Sequence, residues 1–199
     1  ITTPTLLYSG LKLTNTLTQS FKAYEPVILH TLSITAFPKF HDASDPHSFI
    51  VESNGTKIGV LTDIGSNCEH VISNFKQCHA AFLETNYDER MLEEGGYPYY
   101  LKRRIRSGKG HLSNDQALEL FTKHRPEFMS HVLLSHLSKH NNCPKLTLDL
   151  FTKHAGTTTV VVASRDEESA VYRIQGNDLA VKRQQILKRA TVTNQMTLF

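Results

Sequence analysis

Asn54-Gly55 stands between two β-prone runs, Ser48 to Ser53 and Thr56 to Thr62. An Asn-Gly pair so flanked is the strongest short-range signal for a two-residue hairpin, because both turn positions need a positive φ. An antiparallel strand pair is therefore expected here, with Leu32 to Phe37 as a further strand before it. Beyond the hairpin the pattern changes. Short apolar runs at Ala80 to Leu83, His131 to Ser135 and Thr157 to Ala163 read as buried strands, and Ala170 to Ile174 is expected to pair with the last of them. Between them lie stretches that read as helices: Asn67 to Lys76, Asp88 to Glu94, Tyr99 to Arg106, Asn114 to His124 and Pro144 to His154. Ser113 or Asn114 is suited to cap the fourth, and Pro144 to open the fifth. Thr2 to Leu11 and Leu179 to Lys188 read as two further helices near the ends. A hairpin followed by alternating strands and helices predicts a mixed α/β layered fold.

Several function classes are disfavoured at once. No apolar run approaches the roughly 20 residues of a membrane span. No basic stretch followed by an apolar one marks a secretory signal. Three cysteines, with no C-x-x-C spacing, do not make a disulfide framework or a zinc ribbon, and a reducing cytoplasm is the expected location. The net charge of +3 permits a polyanionic partner without demanding one. Eleven histidines raise the prospect of a metal centre. The chain opens at Ile1 on Ile-Thr-Thr, like a strand already under way, and is expected to be a fragment or a processed chain.

One arrangement recurs. Ile34 to Phe40 runs into His41-Asp42, Ile58 to Leu61 into Thr62-Asp63 and then Gly65, Ala80 to Leu83 into Glu84-Thr85-Asn86, and Val132 to Leu134 into Ser135-His136. A single His or Asp after a strand is ordinarily a turn or cap residue. Four together are different, because strand ends on one edge of an α/β sheet gather in space and commonly build the site there. Imidazole and carboxylate together suit Zn, Mn or Fe. An aspartate can bridge two such ions, and a two-metal site activates water for attack at phosphorus.

The runs FPKFHDASDP, KIGVLTDIG, FLETNYDERMLEEGGYP, GHLSN and LLSHLSKHNN, in this order, resemble the later motifs of metallo-β-lactamase-fold hydrolases, and especially their YycJ-like (WalJ-like) exonuclease branch. The match spans roughly Leu32 to Ile174. The resemblance implies an αβ/βα four-layer sandwich with two divalent metals, Mn or Zn, at its edge. It implies His41 and His136 as ligands of one metal each and Asp63 as the bridge. It also implies a DNA exonuclease in which a metal-bound hydroxide attacks the phosphodiester. The family's H-x-H-x-D-H motif is absent, since no H-x-H occurs anywhere in the chain. The expectation is that these 199 residues are the C-terminal two-thirds of the domain, bind metal weakly alone and are inactive alone. Residues 1–178 are assigned to the hydrolase domain and 179–199 to a basic helix and tail.

Further candidates surround this set. His111, in Gly-His-Leu-Ser-Asn, is read as a phosphate contact or proton donor and equally as a helix-start histidine bonded to backbone. Glu84, Asn86 and Asp88 are candidates for orienting ligand imidazoles, with Asp88 better suited to capping. Ser138 and Asn141 are candidate phosphate contacts, and Asn142 a turn or cap residue. Lys102, Arg103, Arg104, Arg106 and Lys109, beside Tyr97, Tyr99 and Tyr100, form a basic and aromatic cluster suited to DNA, although a solvated helix face has the same composition. The terminal Gln195-Met196-Thr197-Leu198-Phe199 resembles the peptide that docks bacterial proteins on the sliding clamp, with Gln195, Leu198 and Phe199 as anchors. Two other readings remain open: a small-molecule metallo-hydrolase such as a cyclic phosphodiesterase or thioesterase, and a non-catalytic clamp-binding fragment.

Overall fold

The computed structural model describes residues 20–176. The helices expected at Thr2 to Leu11 and Leu179 to Lys188, and the pentapeptide with Gln195, Leu198 and Phe199, lie outside the described residues.

Seven strands form one sheet whose spatial order follows the chain: β1 (Pro26–Leu29), β2 (Leu32–Pro38), β3 (His47–Ser53), β4 (Thr56–Leu61), β5 (Ala80–Glu84), β6 (His131–Ser135) and β7 (Thr159–Val162). The hairpin sits where Asn-Gly places it, with φ of 49° at Asn54 and 76° at Gly55. Pairing from β1 to β4 is antiparallel and from β4 to β7 parallel. Each parallel step needs a crossover. The crossovers are α1 (Glu69–Phe75), then α2 (Glu89–Glu94), α3 (Tyr99–Arg106) and α4 (Asn114–His124) together, then α5 (Pro144–Thr152).

This topology decides where the chemistry goes. Strands β4 to β7 run in one direction, and β2, two antiparallel steps from β4, runs with them. Their C-terminal ends therefore share one edge, and the residues just after them, His41, Asp63 and His136, emerge there together with Glu84, the last residue of β5.

Strand alternation assigns the two faces. Ile50, Leu61, Ala81, Leu83, Val132 and Leu134 join Val71 and Phe75 of α1, Leu120 and Phe121 of α4 and Phe151 of α5 in one core. The other face carries a row in direct register, Ala36, Phe49, Val60, Phe82, Leu133 and Val161. Phe21 packs edge-on against Phe49, ring centroids 5.7 Å apart, and Tyr172 lies 5.2 Å from the His131 ring. The expected strand at Ala170 to Ile174 does not form. Its side chains alternate between exposed and half-buried, but its backbone joins no ladder with β7. Among the described residues there is one sheet, so they do not by themselves make up the four layers of a sandwich.

Caps fix the loops that approach the site. Ser113 makes a capping box with Gln116 at the start of α4. Asp88 accepts from the Met91 amide at the start of α2, the capping role expected of it.

Candidate metal centre

Asp63 is the hub. Its Oδ1 lies 3.7 Å from Nε2 of His41, 3.6 Å from Nδ1 of His136 and 4.0 Å from Nδ1 of His111. Ligand atoms of Asp63, Glu84, His111 and His136 all fall within 4.8 Å of one another, an arrangement able to hold a metal ion. Asp63 and His136 both adopt left-handed backbone, with φ of 55° and 58°. Non-glycine residues resist that region, and such strain concentrates at functional sites.

The ring orientations are held from behind. His41 Nδ1 is 3.0 Å from the Gly110 carbonyl, so that nitrogen carries the proton and Nε2, facing Asp63, presents its lone pair. Glu84 is fully buried, and its Oε1 accepts from Nδ1 of His111 and of His136, each at 2.7 Å. Its Oε2 accepts the Ile64 amide at 2.5 Å. Burial alone would push the Glu84 carboxyl up, but the bonds from His111 and His136 outweigh it and hold the group below the usual carboxylate range. Hydrogen bonding to Glu84 raises His136 in turn, against an opposing effect of burial. A hydrogen-bond acceptor on the other ring nitrogen is the usual support of a metal-binding histidine, and His41 has one in the Gly110 carbonyl. His111 and His136 turn the same Nδ1 to Glu84 and toward Asp63, which leaves Nε2 unengaged by either carboxylate.

Two contacts were not anticipated. Lys39 donates to the Thr62 carbonyl at 2.5 Å. Burial lowers its pKa, while Asp63 and Glu84 work the other way. Gly65 lets two loops touch. A Cβ there would lie 2.4 Å from the Gly108 carbonyl oxygen and 2.5 Å from the Lys109 Cα, so the loop bearing Asp63 packs directly on the loop bearing His111.

The remaining candidates are distributed as follows. Ser138 lines a hollow beside His111 and His136. Asn141 is buried, its carbonyl accepting from the Asp88 amide and its own amide bonded to Ser138 Oγ. Asn86 donates to the His136 carbonyl at 2.8 Å. Asn142 caps no helix directly; it ties Thr85, Asn114 and Thr147 into a buried network. In the basic cluster, Arg106 pairs with Glu93 at 2.7 Å and Glu89 at 3.1 Å. Lys102 donates to the Glu93 carbonyl, Arg104 pairs with Asp42 at 2.5 Å, and Arg103 lies over the Tyr99 ring. Ion pairs with residues far along the chain could not be read from composition.

The sheet with its helical crossovers has counterparts among solved structures. YhfI of Bacillus subtilis, a metallo-beta-lactamase fold protein, superposes with a TM-score of 0.55 at 15% identity, over 73% of this chain and 51% of that one. Igni18, a metallo hydrolase of Ignicoccus hospitalis, gives 0.52 at 16% identity over 79% and 61%. Zn(2+)-bound PqqB of Methylobacterium extorquens gives 0.52 at 14% over 73% and 52%. The chain thus has the metallo-β-lactamase fold. By sequence it is a relative of two exodeoxyribonucleases. YycJ of Bacillus anthracis is 32% identical over 115 residues, which are 58% of this chain and 44% of that protein. WalJ of Streptococcus pneumoniae is 30% identical over 115 residues, 58% and 43%. The chain spans less than half the length of the curated relatives it matches. No family model matches it.

Proposed function

We propose that this chain carries part of the active site of a metal-dependent phosphodiester hydrolase, a DNA exonuclease. The observation that carries the reading is the convergence of His41, His111 and His136 on one oxygen of Asp63, with Glu84 bonded to Nδ1 of two of the rings. The donor set fits: two carboxylates and three imidazoles suit Zn or Mn rather than Ca or Mg. His41, Asp63 and His136 would hold divalent ions, with Asp63 placed to bridge, and bound ions would activate water and offset charge on the phosphate. Glu84 keeps the rings of His111 and His136 in one orientation and one tautomer. His111, turned toward Asp63 by the same carboxylate, is the residue suited to give a proton to the leaving oxygen. These donors are few for two ions, so further donors are expected from outside the described residues. The sequence relationship to YycJ and WalJ supports DNA as the substrate.

Manganese-dependent degradation of linear duplex DNA by the protein with all its metal donors in place, compared for the wild type and Asp63→Ala, tests the reading. It holds if the wild type shortens the DNA and the variant loses that activity. It fails if a manganese-loaded wild type leaves DNA intact, and a small-molecule hydrolase would then take its place.

A further inference from the structure

Lys39 carries an ammonium and so cannot ligate a metal ion, yet it is half-buried among the loops of the site. Burying a charge is costly unless it is paired and hydrogen-bonded. Among the described residues, the group that accepts from its Nζ is the Thr62 carbonyl, at 2.5 Å. The carboxylates of Asp63 and Glu84 are close enough for their charges to act on it.

The choice of that carbonyl has a geometric consequence, because a peptide group is planar. The plane joining Thr62 to Asp63 turns only about ψ of Thr62 and φ of Asp63, so a donor held on the Thr62 oxygen restrains φ of Asp63. The next plane is held from the other side. The Ile64 amide donates to Glu84 Oε2 at 2.5 Å, which restrains ψ of Asp63. One residue further on, the Gly65 amide donates to the Phe40 carbonyl at 2.7 Å. Asp63 sits between these bonds with φ of 55°, a region that a residue with a Cβ leaves unless its surroundings hold it there. Two of the three bonds come from Lys39 and Phe40. The residue after them, His41, brings Nε2 to 3.7 Å from Asp63 Oδ1. Three consecutive residues past β2 thus meet the Asp63 loop.

We propose that Lys39 is a positioning residue. Its ammonium holds the Thr62–Asp63 peptide so that Asp63 keeps the left-handed backbone that turns its carboxylate to the three histidines, and the site is formed before any metal ion arrives. The inference rests on the metal reading above for its consequence, and adds to it the group that keeps the hub in place.

The test is amide hydrogen exchange, followed by NMR, on the intact chain in chelator. Wild type, Lys39→Met, Asp63→Gly and the double variant are compared, and thermal melts check that each folds. Methionine keeps the apolar stem of lysine without its charge or donors. In Lys39→Met the Ile64 and Gly65 amides should exchange about tenfold faster relative to the amides of β5 and β6. Tenfold corresponds to about 1.4 kcal/mol, close to what a hydrogen bond to a charged group contributes. A general loss of stability would speed all these amides alike and leave the ratio unchanged. Glycine takes a positive φ without penalty, so in the Asp63→Gly background the effect of Lys39→Met should fall below about threefold. Lys39→Gln is read in the same way, so the test stands if either replacement folds. An unchanged ratio without the ammonium, or the same acceleration in both backgrounds, overturns the proposal. Failure of the metal reading looks different: calorimetry of the wild type would then find no manganese bound, whatever the exchange in chelator shows.

Discussion

Oε1 of Glu84 lies 2.7 Å from Nδ1 of His136, joining a fully buried carboxylate at the end of β5 to an imidazole just past the end of β6. The same oxygen takes the His111 ring, so two neighbouring loops share one anchor. Changing Glu84 to Gln keeps the shape but offers an NH2 where the Ile64 amide or an imidazole N–H needs an acceptor. A buried donor left unmet costs about 1–3 kcal/mol. Thermal unfolding should fall accordingly. Metal affinity should fall about 10- to 100-fold, as for loss of other carboxylates behind ligand histidines. An unchanged metal affinity in a folded Glu84→Gln variant would remove Glu84 from the account.

Gly65→Ala should be harmful although alanine is small. Its Cβ would meet the backbone at Gly108 and Lys109, not the end of a flexible side chain, so the Asp63 loop or the His111 loop must move. A loss of about 1–3 kcal/mol is expected, with weakened metal binding. Chemical denaturation and metal titration of the variant check this, and a neutral Gly65→Ala would mean that the two loops can part freely.

Stability should depend on His79. Its ring is largely buried, and Nδ1 accepts the Lys57 amide at 3.1 Å, which the protonated ring cannot do. Burial, with Lys57 adding to it, lowers its pKa below the ordinary value of 6.5. A base with a lowered folded pKa binds fewer protons folded than unfolded. Its stabilising share is thus complete above about pH 6.5 and is lost as pH falls through that value and below. Wild type and His79→Gln should therefore differ most in melting temperature near pH 7.5 and converge toward pH 5. A gap that widens on acidification would contradict the assignment.

The cysteines should separate by reactivity. Cys78 is fully buried, and burial pushes its thiol up to about 12. Cys68 and Cys143 are half-buried. At pH 8 a thiol reagent should leave Cys78 untouched in the native protein and reach it only on unfolding. Fast labelling of Cys78 in the native state would place it outside the core.

Most of the sheet and the site's outline could be read from local signals. Asn54-Gly55 has few conformations open to it, and α3 and α4 begin and end where their patterns predict. His41, Asp63 and His136 were visible because each follows an apolar run, and parallel pairing then brings those ends together. What was missed depends on contacts distant in sequence. β1 is four residues long with mostly exposed side chains, so it carries no burial pattern. The engagement of Arg106 with Glu89 and Glu93 follows from how α2 and α3 pack. The pair of hydrogen bonds that Glu84 accepts from His111 and His136 requires β5 between β4 and β6, an order that periodicity does not encode.

The central claim is that an oxygen of Asp63 organises a divalent metal centre. Calorimetric titration of the wild type and of Asp63→Ala with zinc and with manganese tests it most directly. The account predicts saturable binding by the wild type and at least a tenfold loss in a variant that still folds. Equal binding by the two proteins, or no binding by either, would contradict it.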